Sequence, residues 1–305
     1  MTNPPTVPSK PPTPSASSSA SSSASTRPPK GPSALSSIDH QRLPGALSIG
    51  LVRATYEIRL FFRSKEAVLF TFLFPIMLLL LFGSIFSGDV DGTNIPYTQV
   101  LCSGILASSI ASVTFVNLAI SIANEREDGS LKRLAGTPMP KVSYFMGKIG
   151  LVFMTGIAEV ALVLLVGTTL FDLRLPSGAG RWFTFVWTLL LGLVACTLMG
   201  IAMSSVPKSA KSAAAVVNLP FVALQFISGV FVPFWDLSPT LRGIASLLPL
   251  KWMAQGFRSV FLPDTFLKVE PGGSWQAGPR LIVLVVWCLA AALLCMRTFR
   301  WTSKN

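Results

Sequence analysis

Two stretches of this chain, FTFLFPIMLLLLF (residues 70–82) and LIVLVVWCLAAALL (residues 281–294), carry no charge and do not alternate apolar with polar side chains. A membrane-barrel strand needs that alternation and a soluble helix needs a polar face, so both stretches predict helices set in hydrocarbon. A hydrocarbon core of ~30 Å takes ~20 mostly apolar residues per helix. Six stretches approach that length, at 67–86, 99–122, 148–171, 182–206, 212–232 and 279–297. With 51% hydrophobic residues, 12% charged residues and one His in 305, the chain reads as an all-α integral membrane protein, not a soluble enzyme. Pro75 is expected to kink the first span. Gly192, Cys196, Gly200 and Ser204 form a small-residue strip on the fourth, suited to helix packing. Trp182, Trp187 and Trp252 read as interfacial or core aromatics.

A net charge of +12 could suggest nucleic acid, but the basic residues are sorted by membrane side and not gathered on one soluble face. They crowd before the first span, between the second and third, and after the sixth, whereas residues 87–98 hold Asp89 and Asp91 and no Lys or Arg. That asymmetry predicts a multi-pass plasma-membrane protein with both termini in the cytoplasm. Arg174 and Arg181 in the third loop balance Lys208 and Lys211 in the fourth, so this pair does not discriminate. No cleavable signal is evident before residue 67, and the first span is expected to act as its own insertion signal. Cys102, Cys196, Cys288 and Cys295 all fall in predicted spans without metal-ligand spacing, so neither a disulfide nor a metal site is expected.

Residues 1–44 are rich in Pro, Ser and Ala and have almost no large apolar side chain, which predicts a disordered cytoplasmic tail; residues 301–305 form a second, short tail. Across 45–66, Leu47, Leu51, Ala54, Ile58 and Phe61 recur at helical spacing, with Arg53, Glu57, Arg59, Arg63 and Glu66 on much of the other surface. This predicts an amphipathic helix in the cytoplasmic interface; a soluble partner-binding helix is the alternative. His40 beside Asp39 lies in the tail, where nothing holds it against a nucleophile or a metal. Gly147 and Lys148 are followed by Ile149 and lack the earlier glycine of a phosphate-cradling loop. The chain is therefore expected to be no enzyme and to bind no cofactor itself.

The charged break between the second and third spans, NEREDGSLKRLAGTPMP (124–140), is where the membrane part would meet something soluble. Its acidic start and later basic turn predict a short helix with the charge order favoured by the helix dipole, stopped at Thr137 and Pro138. The leucines suit a groove on another protein; an ordinary solvated loop is the alternative. The pattern ERE.G.L.RL..TP within it resembles the intracellular loop of the ABC-2 type permeases, membrane subunits of ATP-binding cassette exporters of the multidrug and antibiotic efflux type. The segment FISGVFVPFWDLSPTLRGIASLLPLKWMAQGFRSVF (226–261) is similar to the family's short re-entrant helices, and the amphipathic helix before the first span also fits.

The resemblance implies a six-span domain over 67–300, with a coupling loop at 123–141 and a re-entrant segment at 231–261. It implies that Glu125, Arg126, Glu127, Gly129, Leu131, Arg133, Leu134, Thr137 and Pro138 couple this chain to a separate ABC ATP-binding subunit that carries ATP and Mg. It also implies a second permease copy, as a homodimer or a related heterodimer. Candidates for the substrate path are Thr114 and Asn117 on the second span, with Ser121, and Asn218 and Gln225 on the fifth; interhelical hydrogen bonding is the plainer reading of both stripes. Glu159 sits near the middle of the third span, where a lone carboxylate must face protein or water. No Lys or Arg is expected inside the membrane to complete a relay with it. The function these features imply is export of an amphipathic drug-like or lipid-like molecule, driven by ATP on a partner. The alternatives are a proton-coupled secondary transporter using Glu159 and a membrane scaffold that does not transport.

Overall fold

The computed structural model describes residues 45–86 and 88–299. The expectations for the 1–44 tail, with His40 and Asp39, and for the 301–305 tail lie outside the described residues. The described chain is helical, with one isolated bridge between Asp89 and Pro96. Among the described residues, six helices are long and apolar enough to cross a membrane: α2 (Lys65–Ile85), the continuous helix Tyr97–Glu127, α6 (Lys141–Leu170), α7 (Ala179–Met203), α8 (Ala210–Ile227) and α11 (Ala277–Thr298). Helix α2 runs unbroken through Pro75. The third span begins at Lys141, earlier than the expected 148, which places Lys148 inside it. The fifth ends at Ile227, earlier than the expected 232, because the chain turns at Gly229, whose φ is +76°.

Helix α1 (Ala46–Arg63) precedes the first span and packs along α6. Its orientation inverts part of the expected pattern. Leu47 and Leu51 are 69% and 64% exposed, whereas Glu57, expected on the outer surface, is 3% exposed. The stripe turned toward the protein is Gly50, Ala54 and Glu57. Small residues let the two backbones approach: a Cβ on Gly150 of α6 would lie 2.7 Å from the Ala54 Cβ. Hydrocarbon is as apolar as leucine, so in a bilayer close packing and polar pairing, not leucine burial, decide the inward face.

The second span is the most buried of the six. It consists of α3 (Tyr97–Ala111), a six-residue π-helical segment (Ser112–Asn117) and α4 (Leu118–Glu127). The widened turn displaces backbone carbonyls from their usual partners. Thr114 Oγ1 donates to the Ile110 carbonyl at 2.7 Å, and Gly200 of α7 packs on the carbonyls of Thr114 and Phe115, to which an added Cβ would come within 2.6 and 2.9 Å. The small-residue strip on α7 is thus a packing face. Along it, Gly192 lies against Met253, the Cys196 and Met253 sulfurs are 3.8 Å apart, and Ser204 receives Arg126. All four cysteines are free. Gly200→Val would drive a branched side chain into backbone that cannot swing away; a loss of ~1–3 kcal/mol is expected, read as a lowered thermal unfolding midpoint in detergent.

Between the fifth and sixth spans lie α9 (Pro239–Ser246) and α10 (Pro249–Phe261). At ~1.5 Å per residue α10 falls well short of the hydrocarbon core, yet every one of its residues is buried, against α3, α7 and α11. Here a second expectation is corrected. Lys251 and Arg258 on α10, Arg280 on α11 and Lys148 on α6 are all buried. Interior cations persist where each has a partner. Arg258 forms a two-pronged pair with Glu270, at 3.1 and 3.0 Å. Arg280 donates to Ser259 at 2.9 Å and stacks over Trp187, while Lys251 donates to Gln255 at 3.1 Å and stacks over Trp252. The indole of Trp252 donates to the Ser246 carbonyl, and Trp182 remains partly exposed. At this end Val90, Ile95, Val100, Leu262 and Phe266 close the bundle with a small separate core.

Candidate functional site: the loop helix and the cavity between the spans

At the opposite end, Asp128 and Gly129 turn the chain from α4 into α5 (Ser130–Ala135). The Asp128 Oδ1 accepts from the Ser130 N–H at 2.8 Å and from its hydroxyl at 2.6 Å. These bonds, the hydroxyl one first, hold its carboxyl below the usual carboxylate range. Because the shift is downward, the cap is fully present above that range and is lost as pH falls through the depressed pKa. Gly129, at φ +76°, occupies the left-handed region that the turn requires.

The residues expected to meet a partner divide into two sets. Glu125 turns inward: it accepts from the Tyr144 hydroxyl at 2.8 Å and pairs with Lys148. Lys148 is fully buried and also reaches Glu57 at 3.0 Å and Ser121 at 3.2 Å, and Glu57 pairs with Arg53 at 2.5 Å. One charged network therefore ties α1, α4 and α6 together. Arg126 donates to the carbonyl and hydroxyl of Ser204 at the end of α7, and Glu127 accepts from the Ala210 N–H at the start of α8, where the helix dipole favours an anion. Leu131 has no exposed surface; it packs with Val113, Leu118, Ile122, Tyr144, Val152 and Ile201, and Leu134 lies half-buried against that core. Glu125, Arg126 and Leu131, which the resemblance assigns to coupling, thus make these contacts within the chain. A buried lysine claims the carboxylate, and α5 uses its leucines to fasten itself to the spans. The face left exposed consists of Glu127, Asp128, Lys132, Arg133, Thr137 and Pro138.

A cavity of about 750 Å³ lies between α2, the Tyr97–Glu127 helix and α8, with α1 and α6 at its loop end. That volume is in the range of small-molecule sites. Phe61, Phe70, Phe74 and Phe221 give it aromatic walls, and Ser108, Ser112, Asn117 and Ser121 supply a polar seam. Of the path residues predicted from sequence, Asn117, Asn218 and Gln225 line it. Asn117 donates to Thr71 at 3.4 Å, Asn218 to the Ala214 carbonyl at 2.8 Å, and Gln225 to Ser108. Thr114 and Glu159 are not in its wall. Thr114 is turned to its own backbone. Glu159 is buried on α6, and neither of its carboxylate oxygens has a hydrogen-bond partner among the described residues.

The π segment explains the miss at Thr114. It inserts one residue into the helical repeat, so the cavity stripe runs Ser108, Ser112, Asn117, Ser121, with a step of five in the middle. A regular repeat continued backward from Asn117 selects Thr114 instead. Ser108 and Ser112 are four apart, as are Asn117 and Ser121, but nothing in the sequence marks the five-residue step between the two pairs.

Polar groups lining a cavity of this size among membrane spans, with a short helix fastened outside them, fit the general class of membrane transport proteins. Residues 52–262 match the profile of the ABC-2 type transporter, and the chain belongs to that family. It is similar to the putative transport permease ycf38 of Porphyra purpurea, at 29% identity over 194 residues covering 61% of this chain and 65% of that protein. It is similar also to the inner membrane transport permease YadH of Escherichia coli, at 26% over 210 residues covering 68% and 76%. The probable multidrug ABC transporter permease YbhR of Escherichia coli is 22% identical over 204 residues, 67% of this chain and 54% of that protein.

Proposed function

We propose that this chain is the membrane subunit of an ATP-driven exporter, working as two permease copies with a separate ATP-binding subunit that holds ATP and Mg. It moves an amphipathic drug-like or lipid-like molecule out of the cell through the plasma membrane, with both termini in the cytoplasm. The observation that carries this reading is the mounting of α5. The helix follows directly on Glu125, Arg126 and Glu127 of α4, which bind α6, the end of α7 and the start of α8, so a push on the loop reaches the second span, α6 and α8 in the wall of the cavity. The name of YbhR, a probable multidrug ABC transporter permease, supports the drug-like substrate class.

Lys132 and Arg133 are exposed and contribute little to the fold, so reversing both to Glu should leave the protein inserted while removing its hold on the ATP-binding subunit. Co-purification and ATP-dependent transport should fall together; normal values for both would refute the docking face. The energy source is tested by reconstitution. The permease alone should be inactive under a proton gradient and become active with its ATPase and ATP, and Glu159→Gln should not abolish that activity. Gradient-driven flux without ATPase, lost in Glu159→Gln, would establish the proton-coupled alternative. For orientation, a cysteine replacing Asp91 on a cysteine-free background should react with an impermeant maleimide in intact cells, and one replacing Lys132 only after permeabilisation. The opposite pattern would reverse the topology.

A further inference from the structure

We propose that the cavity between the spans selects organic cations: molecules with an apolar, largely aromatic body and one delocalised or shielded positive charge. This rests on the reading of the cavity as the substrate site and specifies its ligand. The sign of the charged groups in the wall carries the argument. Among the described residues, the charged groups in the wall are Glu57 and Glu125, with Asp128 at its solvent-exposed loop rim, and all are acidic; no described Lys, Arg or His lines it. The cations that balance two of these carboxylates, Arg53 and Lys148, are not part of the wall, and Lys148 is fully buried behind them. A ligand therefore meets the negative end of each pair first. Glu57 is itself buried, and its Oε1, although close to Arg53, receives no hydrogen bond.

The remaining lining agrees with that sign. Aromatic faces at Phe61, Phe70, Phe74 and Phe221 attract a cation through the ring quadrupole. The serines and amides of the seam both donate and accept, so they accommodate a polar head of either sign and do not offset the carboxylates. Inside a low-dielectric cavity this bias is screened far less than on an exposed surface. An anion of the same size would meet the Glu57 and Glu125 carboxylates and no described lining cation.

The test uses the purified full-length permease in nanodiscs, without ATPase, and two ions of matched size and shape but opposite charge, tetraphenylphosphonium and tetraphenylborate. Binding to empty nanodiscs is subtracted from each. Tetraphenylphosphonium should bind saturably and at least about tenfold tighter than tetraphenylborate, the difference expected of a unit charge at close range in a partly shielded site. Asn117→Lys, which puts a cation into the seam, should lower phosphonium affinity by a similar factor. Equal or reversed preference, no saturable binding of either ion, or a preference unchanged by Asn117→Lys would each overturn the proposal. Since no ATPase is present, the result is independent of the energy source. An exporter that responds to its ATPase but lacks the preference would refute this inference alone, and selective binding without any ATPase response would refute only the exporter reading.

Discussion

Lys148→Met should leave a protein that inserts poorly or unfolds at markedly lower temperature. The substitution removes the cation that Glu57 and Glu125 share, leaving Glu125 without its cation and the buried Glu57 with Arg53 alone. Removing one partner of a buried ion pair typically costs ~3–5 kcal/mol, far more than the intact pair contributes over an apolar replacement. The cost should therefore be reversible: adding Glu57→Gln and Glu125→Gln to Lys148→Met should restore much of the stability. Thermal unfolding in detergent, followed by size-exclusion fluorescence, reads both changes. A single Lys148→Met variant as stable as the parent would show that the network holds nothing together. The same network alters how variants at Glu125 should be interpreted. Lost ATPase binding in Glu125→Lys would reflect collapse of the α1, α4 and α6 junction before it reported on docking.

Arg258→Met is expected to be comparably severe at the other end of the bundle. Glu270 has no exposed side-chain surface, and both of its oxygens bind the Arg258 guanidinium. Arg258 donates in addition to the Gly229 carbonyl at 3.4 Å, so it also braces the turn that ends α8. The single variant should lose ~3–5 kcal/mol through the stranded carboxylate. The double variant Arg258→Met with Glu270→Met should recover most of that loss. Arg258→Lys should recover little, because an ammonium cannot reproduce the two-pronged geometry. Full stability in Arg258→Lys would mean that charge alone, not the paired geometry, holds the turn.

Local order was the legible part. The apolar runs gave the six spans to within a few residues at most ends, and within the segment 226–261, expected from the resemblance to hold short helices, α9 and α10 begin at Pro239 and Pro249. The candidate site was legible in part. Asn117, Asn218 and Gln225 were found because a helical repeat places polar side chains on one face, and Thr114 was misplaced because the π segment breaks that repeat. Lys148 was read as the edge of a span because four-fifths of a lysine is hydrocarbon and its position looked terminal. Its burial depends on Glu57, 91 residues earlier in the chain, and on Glu125.

The sequence by itself determined that this is a six-span helical membrane protein with a short charged helix between its second and third spans. Those features follow from sums along the chain: enough consecutive apolar surface to cross hydrocarbon, and backbone hydrogen bonds that only a helix can satisfy there without a partner. Only the tertiary structure decided which face of each helix turns inward, that Glu125 and Leu131 make contacts within the chain, and that the described charged residues in the cavity wall are acidic. In water a helix announces its inward face by its apolar stripe. In a bilayer the outside is as apolar as the inside, so that choice falls to close packing of small residues and to the pairing of charges far apart in sequence.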